Sequence, residues 1–321
     1  MNLHDNRFIG VVGLGLMGTS IIAHLLNCGH QVIAITNEPA SIKAIQKRIA
    51  SHLQNLEKHN MLNQDFHLSY ESFFITDDYT YLNKCIIVIE TITENLQAKK
   101  EVYGKVERVV SIDTIIATNT SALPISLLQQ GLKHPKRFLG VHWAEPAHIT
   151  KFMEIICGEQ TDVSMASDLK LFAEKYWYKE PALLLKDIRG FLANRLMYAL
   201  IREAFYLVEN GYASVQDIDR VLRNDIGSWI TFAGPFRFMD ITGLYPSYAT
   251  MPELLPTLCN DVTMPASLMR LVKEGANGLT TAGGFYKYTP ESAKKWEELF
   301  TAFSNEIKKI SDKYPENAGD I

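Results

Sequence analysis

Cysteine is scarce in this chain of 321 residues: Cys28, Cys85, Cys157 and Cys259 are the only four. They lie far apart with no CxxC pair, which argues against a zinc knuckle and against a redox pair. They are expected to be reduced, buried thiols. Charge of one sign is not in excess either. Lys and Arg number 32 against 36 Asp and Glu, a net −4, so the chain has no global basic field and nucleic acid is not its expected partner. No apolar run approaches the ~18 residues that a membrane span needs. The polar opening MNLHDNRF is unlike a signal peptide, so a cytoplasmic location is expected. The histidines, among them His24, His52 and His148, are scattered without metal-ligand spacing, and no metal site is expected. What remains is an ordinary globular composition, 47% hydrophobic and 21% charged. At ~150 residues per domain that makes roughly two domains, the size of an enzyme acting on a small molecule.

Short apolar runs alternate with helical periodicity through the first half. Phe8–Val12, Gln31–Ile35, Cys85–Ile89 and Thr114–Ala117 read as buried parallel strands. Helical stretches fall at about Met17–Cys28, from Pro39 to about His59, and over Asn95–Val110. This alternation is the signature of an α/β doubly wound sheet of Rossmann type. Arg137–Trp143, Phe152–Cys157 and Ala182–Leu185 extend the sheet. Beyond Lys186 the texture is helical: Phe191–Asn210, then Ser214 as a cap, then short segments punctuated by proline, then Ser292–Lys313 with Ser292 as N-cap. The expected division is a dinucleotide-binding domain over 1–187 and an all-helical domain over 188–321. Residues from Pro315 onward are expected to fray.

Gly13-x-Gly15-x-x-Gly18, with Met17 inside it, follows the first strand and opens a helix. The first glycine allows a tight turn. The second lets backbone approach a pyrophosphate, and the third lets helix and strand pack closely. The helix N-terminus then offers amides and partial positive charge to phosphates. At the end of the second strand, where NAD enzymes place a ribose-binding acid, stand Thr36, Asn37 and Glu38. Thr36 and Asn37 can bond a ribose hydroxyl, and no Arg follows to meet a 2′-phosphate. NAD is the expected cofactor.

Further motifs narrow the type of dehydrogenase. Glu90-Thr-Ile-Thr-Glu94-Asn95-Leu96 with Lys99, Asn119-Thr120-Ser121, Gly140-Val-His142-Trp-Ala-Glu-Pro146 followed by Met153-Glu154-Ile155, Asp187-Ile-Arg-Gly190-Phe191-Leu-Ala-Asn194-Arg195, Gly234-Pro235-Phe236 and Gly283-Gly284-Phe285-Tyr286 occur in order. Together with the glycine fingerprint they resemble the 3-hydroxyacyl-CoA dehydrogenase family over residues 8 to about 288. The resemblance implies reversible hydride transfer at the 3-hydroxy position of an acyl substrate, in fatty acid metabolism, by an enzyme that dimerises through its helical domain. It also implies His142 as acid–base residue with Glu154 as partner. Ser121 and Asn194 would lie beside the reacting oxygen. Glu94, Lys99 and Asn119 would lie along the cofactor, and the site would fall between the two domains.

The chemistry stands on the residues as well. Oxidising a secondary alcohol needs a base for the hydroxyl proton, and histidine serves in both directions near neutral pH. His142 and Glu154 fall on or next to expected strands, and Ser121 follows a strand at the carboxyl edge where open α/β sheets bind ligands. Two departures bear on the substrate. Where the family has HFFNP this chain has His142-Trp143-Ala144-Glu145-Pro146, so an aromatic is lost and a carboxylate replaces Asn. Glu145 is expected to pair with a nearby base such as Arg195 or to select the substrate's charge. A free 3-hydroxy acid or a diketo ester is therefore the alternative to an acyl-CoA.

Overall fold

The computed structural model describes residues 8–63 and 72–314; the expected fraying beyond Pro315 lies outside them. The sheet has eight strands: β1 (Phe8–Val12), β2 (Val32–Ile35), β3 (Phe73–Thr76), β4 (Cys85–Glu90), β5 (Ile115–Thr118), β6 (Phe138–Trp143), β7 (Phe152–Ile156) and β8 (Glu180–Leu184). Their order is β3-β2-β1-β4-β5-β6-β7-β8. All neighbours are parallel except β6 and β7. β1, β2, β4 and β5 are almost wholly buried, as strands covered on both faces must be.

Helices α1 (Leu16–Asn27), α2 (Ile42–Lys58) and α5 (Val163–Tyr176) cover one face. Helices α3 (Leu96–Glu107) and α4 (Ile125–Gln129) cover the other. The strand order reverses between β2-β1 and β4, where doubly wound sheets bind ligands outside the carboxyl ends of the strands. Strand β3 is an addition to the sequence reading. It is four residues long and half-exposed on the sheet edge, unlike the buried central strands.

The chain divides into two compact units between Arg195 and Leu196. Helix α6 (Ala193–Glu209), which spans that boundary, leads into α7 (Val215–Val221), capped by Ser214, then a π-turn at Leu222–Ile226 and α8 (Gly227–Ile230). Next come α9 (Pro235–Thr242), α10 (Leu244–Leu254), α11 (Ala266–Lys273) and α12 (Pro290–Lys313). Two helix starts differ from the sequence reading. Helix α12 is capped by Thr289, not Ser292; Pro290 takes the first helical position, and Ser292 returns the bond as third residue of a capping box, an arrangement proline at N1 favours. Helix α6 opens at Ala193, not Phe191, because Gly190 and Phe191 both adopt positive φ. Asn194 therefore lies in the first turn, and it belongs to the first unit.

Candidate active site

Antiparallel pairing of β6 and β7 sets His142 directly opposite Glu154. Side chains at such a position share one face of the sheet about 5 Å apart at Cβ. The result is a hydrogen bond of 2.7 Å between His142 Nδ1 and Glu154 Oε2, with both residues buried. The other carboxylate oxygen of Glu154 accepts from the amides of Leu192 (2.8 Å) and Ala193 (2.9 Å). The positive-φ turn at Gly190-Phe191 aims those amides back at the sheet. Phe191 is fully buried against the imidazole at 5.7 Å, and Phe152 meets it edge-on at 5.7 Å. Burial pushes the Glu154 carboxyl up, but the bonds from His142, Ala193 and Leu192 outweigh it and hold the group below the ordinary carboxylate range. Glu154 is thus a fixed anion, Nδ1 is committed, and Nε2 is left to face a ligand.

Asp187, first residue of the D-x-x-G-F motif, accepts from the Ser126 amide (2.7 Å) and hydroxyl (2.9 Å). This anchors the segment that carries Phe191 to the start of α4. Asn194 donates from Nδ2 to the Ser121 carbonyl at 2.9 Å. The loop after β5, which holds Ser121, is thereby tied to the segment after β8.

A second cluster lies beneath that loop. Glu90, at the end of β4 and 1% exposed, accepts from Lys99 Nζ (2.8 Å), the Ile92 amide (2.6 Å), the Tyr103 hydroxyl (2.7 Å) and the Thr118 hydroxyl (2.9 Å). Lys99 is also 1% exposed, and it bridges to Glu94 at 3.3 Å. Glu94 in turn accepts from the Thr120 hydroxyl and from the amides of Ser121 and Ala122, both 3.2 Å. Burial alone raises the Glu94 carboxyl, while Thr120, Lys99 and the Ala122 amide together bring it below its ordinary value. Lys99 therefore sits under the surface, one layer behind Glu94. Asn119 accepts from the Trp143 amide at 2.9 Å, locking the end of β5 to the end of β6 beside His142. Glu90 was read in the sequence only as the first residue of its motif, and Tyr103 and Thr118 were not singled out. The available signal was an acid closing the otherwise apolar CIIVIE run, with Lys99 and Tyr103 one turn apart on the helix that follows.

The glycine turn fits a dinucleotide. A Cβ on Gly18 would lie 2.0 Å from the Gly13 carbonyl, so that position is reserved for close packing. A Cβ on Gly15 would meet nothing within 4 Å and would instead fill open space at the N-terminus of α1. No side chain caps that terminus, and its first turn holds no acid, so its amides remain for phosphate. Met17 packs against the core below. At the end of β2 the Thr36 hydroxyl accepts from the Glu38 amide at 3.0 Å and is buried, while Asn37 is exposed. Glu145 follows β6, exposed, with no ion pair to Arg195 among the described residues. Arg195 instead reaches the Arg189 carbonyl at 3.5 Å. Partial desolvation raises the Glu145 carboxyl.

The NAD-binding domain of 3-hydroxyacyl-CoA dehydrogenase matches residues 8–188, and the C-terminal domain of that enzyme matches residues 190–288. The chain belongs to the 3-hydroxyacyl-CoA dehydrogenase family. Its cofactor is NAD. A 5-formyl-3-hydroxy-2-methylpyridine 4-carboxylate 5-dehydrogenase from Mesorhizobium japonicum is 31% identical over 289 residues, covering 90% of this chain and 93% of the relative. A solved structure of an enzyme of that name, an NAD+-dependent dismutase, superposes with a TM-score of 0.89 at 29% identity, covering 95% of this chain and 98% of the other. The (S)-3-hydroxybutyryl-CoA dehydrogenase of Ralstonia eutropha superposes at 0.72 with 30% identity, over 88% of this chain and 99% of the other. This 3-hydroxyacyl-CoA dehydrogenase family member is an NAD-dependent oxidoreductase. Among its described residues no helix is long and apolar enough to cross a membrane.

Proposed function

We propose that this enzyme interconverts a 3-hydroxyacyl-CoA and a 3-ketoacyl-CoA by hydride transfer, with His142 as acid–base residue. The observation that carries this reading is the His142–Glu154 pair, held on opposed strands with Nε2 uncommitted. In oxidation, Nε2 takes the substrate's hydroxyl proton. Glu154 stabilises the imidazolium that results and fixes the tautomer that keeps Nε2 basic. The Ser121 hydroxyl donates to the same oxygen and, in reduction, stabilises the developing alkoxide. Asn194 holds the Ser121 backbone in place. Bound NAD supplies the hydride acceptor in one direction and the donor in the other. Gly13, Gly15 and Gly18 would seat its pyrophosphate, Asn37 its adenosine ribose and Glu94 its nicotinamide half. Lys99 and Asn119 support these contacts from behind.

A second reading rests on the higher structural similarity to the pyridine-carboxylate dehydrogenase, 0.89 against 0.72. On this reading the substrate is a free 3-hydroxy acid or a diketo ester, and the departures at Ala144 and Glu145, two and three residues after His142, bear on its recognition. Absorbance-monitored NADH oxidation with acetoacetyl-CoA and with free acetoacetate separates the two. Turnover of the thioester supports the acyl-CoA reading. Turnover of the free acid alone replaces it.

The working form on this reading is a cytoplasmic homodimer built through residues from 188 onward. Within one copy, no helix from α6 to α11 has a buried residue. Phe236, Tyr245, Tyr248 and Val262 are each more than 70% exposed, side chains that a second copy would cover. Light scattering on the purified protein is expected to give twice the chain mass.

A further inference from the structure

The loop 144–150, which leaves the catalytic strand directly after Trp143, is fastened to the dinucleotide helix by a closed pair of hydrogen bonds. The His148 amide donates to Ser20 Oγ at 3.2 Å, and Ser20 Oγ lies 2.8 Å from His148 Nδ1. Both side chains are buried. With the ring accepting at Nδ1, one hydroxyl satisfies both groups, accepting from the backbone and donating to the ring. Burial pushes the His148 imidazole down to about 3, with His52 and Lys179 adding to the effect, so at neutral pH it is the neutral acceptor this geometry needs. The imidazole of His52, on α2, lies 4.4 Å from that of His148, tilted by 42°. Lys179 Nζ donates to the Ala147 carbonyl at 2.7 Å and to the Thr150 carbonyl, and it lies 4.9 Å over the Trp143 ring. The loop is held from α1, from α2 and from the segment entering β8.

Ser20 lies two residues beyond the Gly13–Gly18 fingerprint, on the same helix. His148 lies six residues beyond His142. The two ligand-facing parts of the first unit, the dinucleotide turn and the catalytic strand end, are therefore joined by a bond pair that touches neither ligand. We propose that Ser20 and His148 are positioning residues, setting the His142 loop against the helix that receives the dinucleotide. The proposal rests on the acid–base reading of His142. A mere packing contact would contribute to stability alone; a positioning contact contributes to turnover in protein that remains folded.

The test uses Ser20→Ala, His148→Leu, His148→Asn and the double variant Ser20→Ala/His148→Leu. Each is assayed well below its melting temperature for NADH affinity by fluorescence and for kcat and KM with whichever of acetoacetyl-CoA and acetoacetate turns over. Ser20→Ala and His148→Leu are each expected to lower kcat about fivefold or more and to weaken NADH about threefold, and the double variant to be no worse than the single ones, as for partners in one interaction. His148→Asn, whose side-chain oxygen can stand in for Nδ1, is expected within twofold of wild type. Unchanged kcat and NADH affinity in folded Ser20→Ala, with only a lower Tm, would overturn the proposal. So would a double variant whose losses multiply. Should His148→Leu not fold, Ser20→Ala removes one oxygen and decides the matter alone. His142→Gln assayed alongside keeps the two readings apart: activity there removes the acid–base assignment, whereas its loss, with a fully active Ser20→Ala, removes only the clasp.

Discussion

Glu154 engages both of its oxygens in positioning: one bonds the His142 ring, and the other bonds the two amides that open α6. A residue so placed orients the base and stays ionised, because the donors around it hold its carboxyl below the ordinary range against the effect of burial. General acid–base assistance typically contributes about 100- to 10,000-fold in rate. His142→Gln is accordingly expected to lower kcat by at least ~100-fold while leaving NADH binding, read by fluorescence, within a few-fold of wild type. Glu154→Gln should fall by a similar order, since its amide cannot both accept from Nδ1 and satisfy two backbone N–H groups with a carboxylate's charge. A His142→Gln variant with near-normal turnover would exclude it as the proton carrier. Partial desolvation raises the carboxyl of Glu145, in the loop between β6 and β7. It is the position where substrate charge and protein charge meet in the two substrate readings.

At the scale of elements, the glycine turn separates binding from folding. Gly15→Ala places its methyl in open space. Thermal melts should therefore match wild type, while NADH affinity drops at least tenfold because the methyl occupies the approach to the α1 amides. Gly18→Ala places a Cβ 2.0 Å from the Gly13 carbonyl and should lower Tm as well. Equal NADH affinity in Gly15→Ala would show that phosphate does not sit there. These elements are also where the sequence was most and least legible. β1 and β4 are buried on both faces, so their apolar runs are continuous and their bounds readable. β3 is an edge strand, half-exposed and only four residues long; its Phe-Phe-Ile-Thr has strand composition, but so short a run was passed over. The start of α6 was misplaced by two residues because a buried Phe191 at positive φ looks like the first apolar position of a helix. The opposition of His142 and Glu154 could be anticipated from two adjacent strands joined by a short connection. The Glu90–Lys99–Tyr103 cluster could not, because its partners meet only once β4, β5 and α3 pack. The gathering of His24, His52 and His148 depends in the same way on α1, α2 and the loop after β6 coming together.

For the whole molecule, buried titratable groups bound the pH range of stability from both sides. Burial lowers His148 to about 3 and His30 to about 4, and it also lowers His52 and His24. In the unfolded chain each histidine titrates near 6.5. Between the unfolded and folded values the unfolded state binds more protons, so stability is full above about pH 6.5 and falls as the pH drops below it. By pH 5, His30 and His148 each remove about 2 kcal/mol. The carboxylates Glu94 and Glu154, with lowered values, act only later, below about pH 4.5. On the alkaline side burial lifts Cys28 and Cys85 to about 12. An unfolded thiol ionises near 8.5, so stability is full below that and declines as the pH rises towards 12. The expected curve is a plateau between about pH 6.5 and 8.5 with a fall on each side. Denaturant titrations at half-unit steps of pH measure it. On the acid side His148→Asn should flatten the fall between pH 6.5 and 5, because it removes the group whose protonation is most strongly opposed, apart from His24. If that variant and wild type lose stability in parallel down to pH 5, His148 is protonated in the folded protein and water reaches the α1–loop contact.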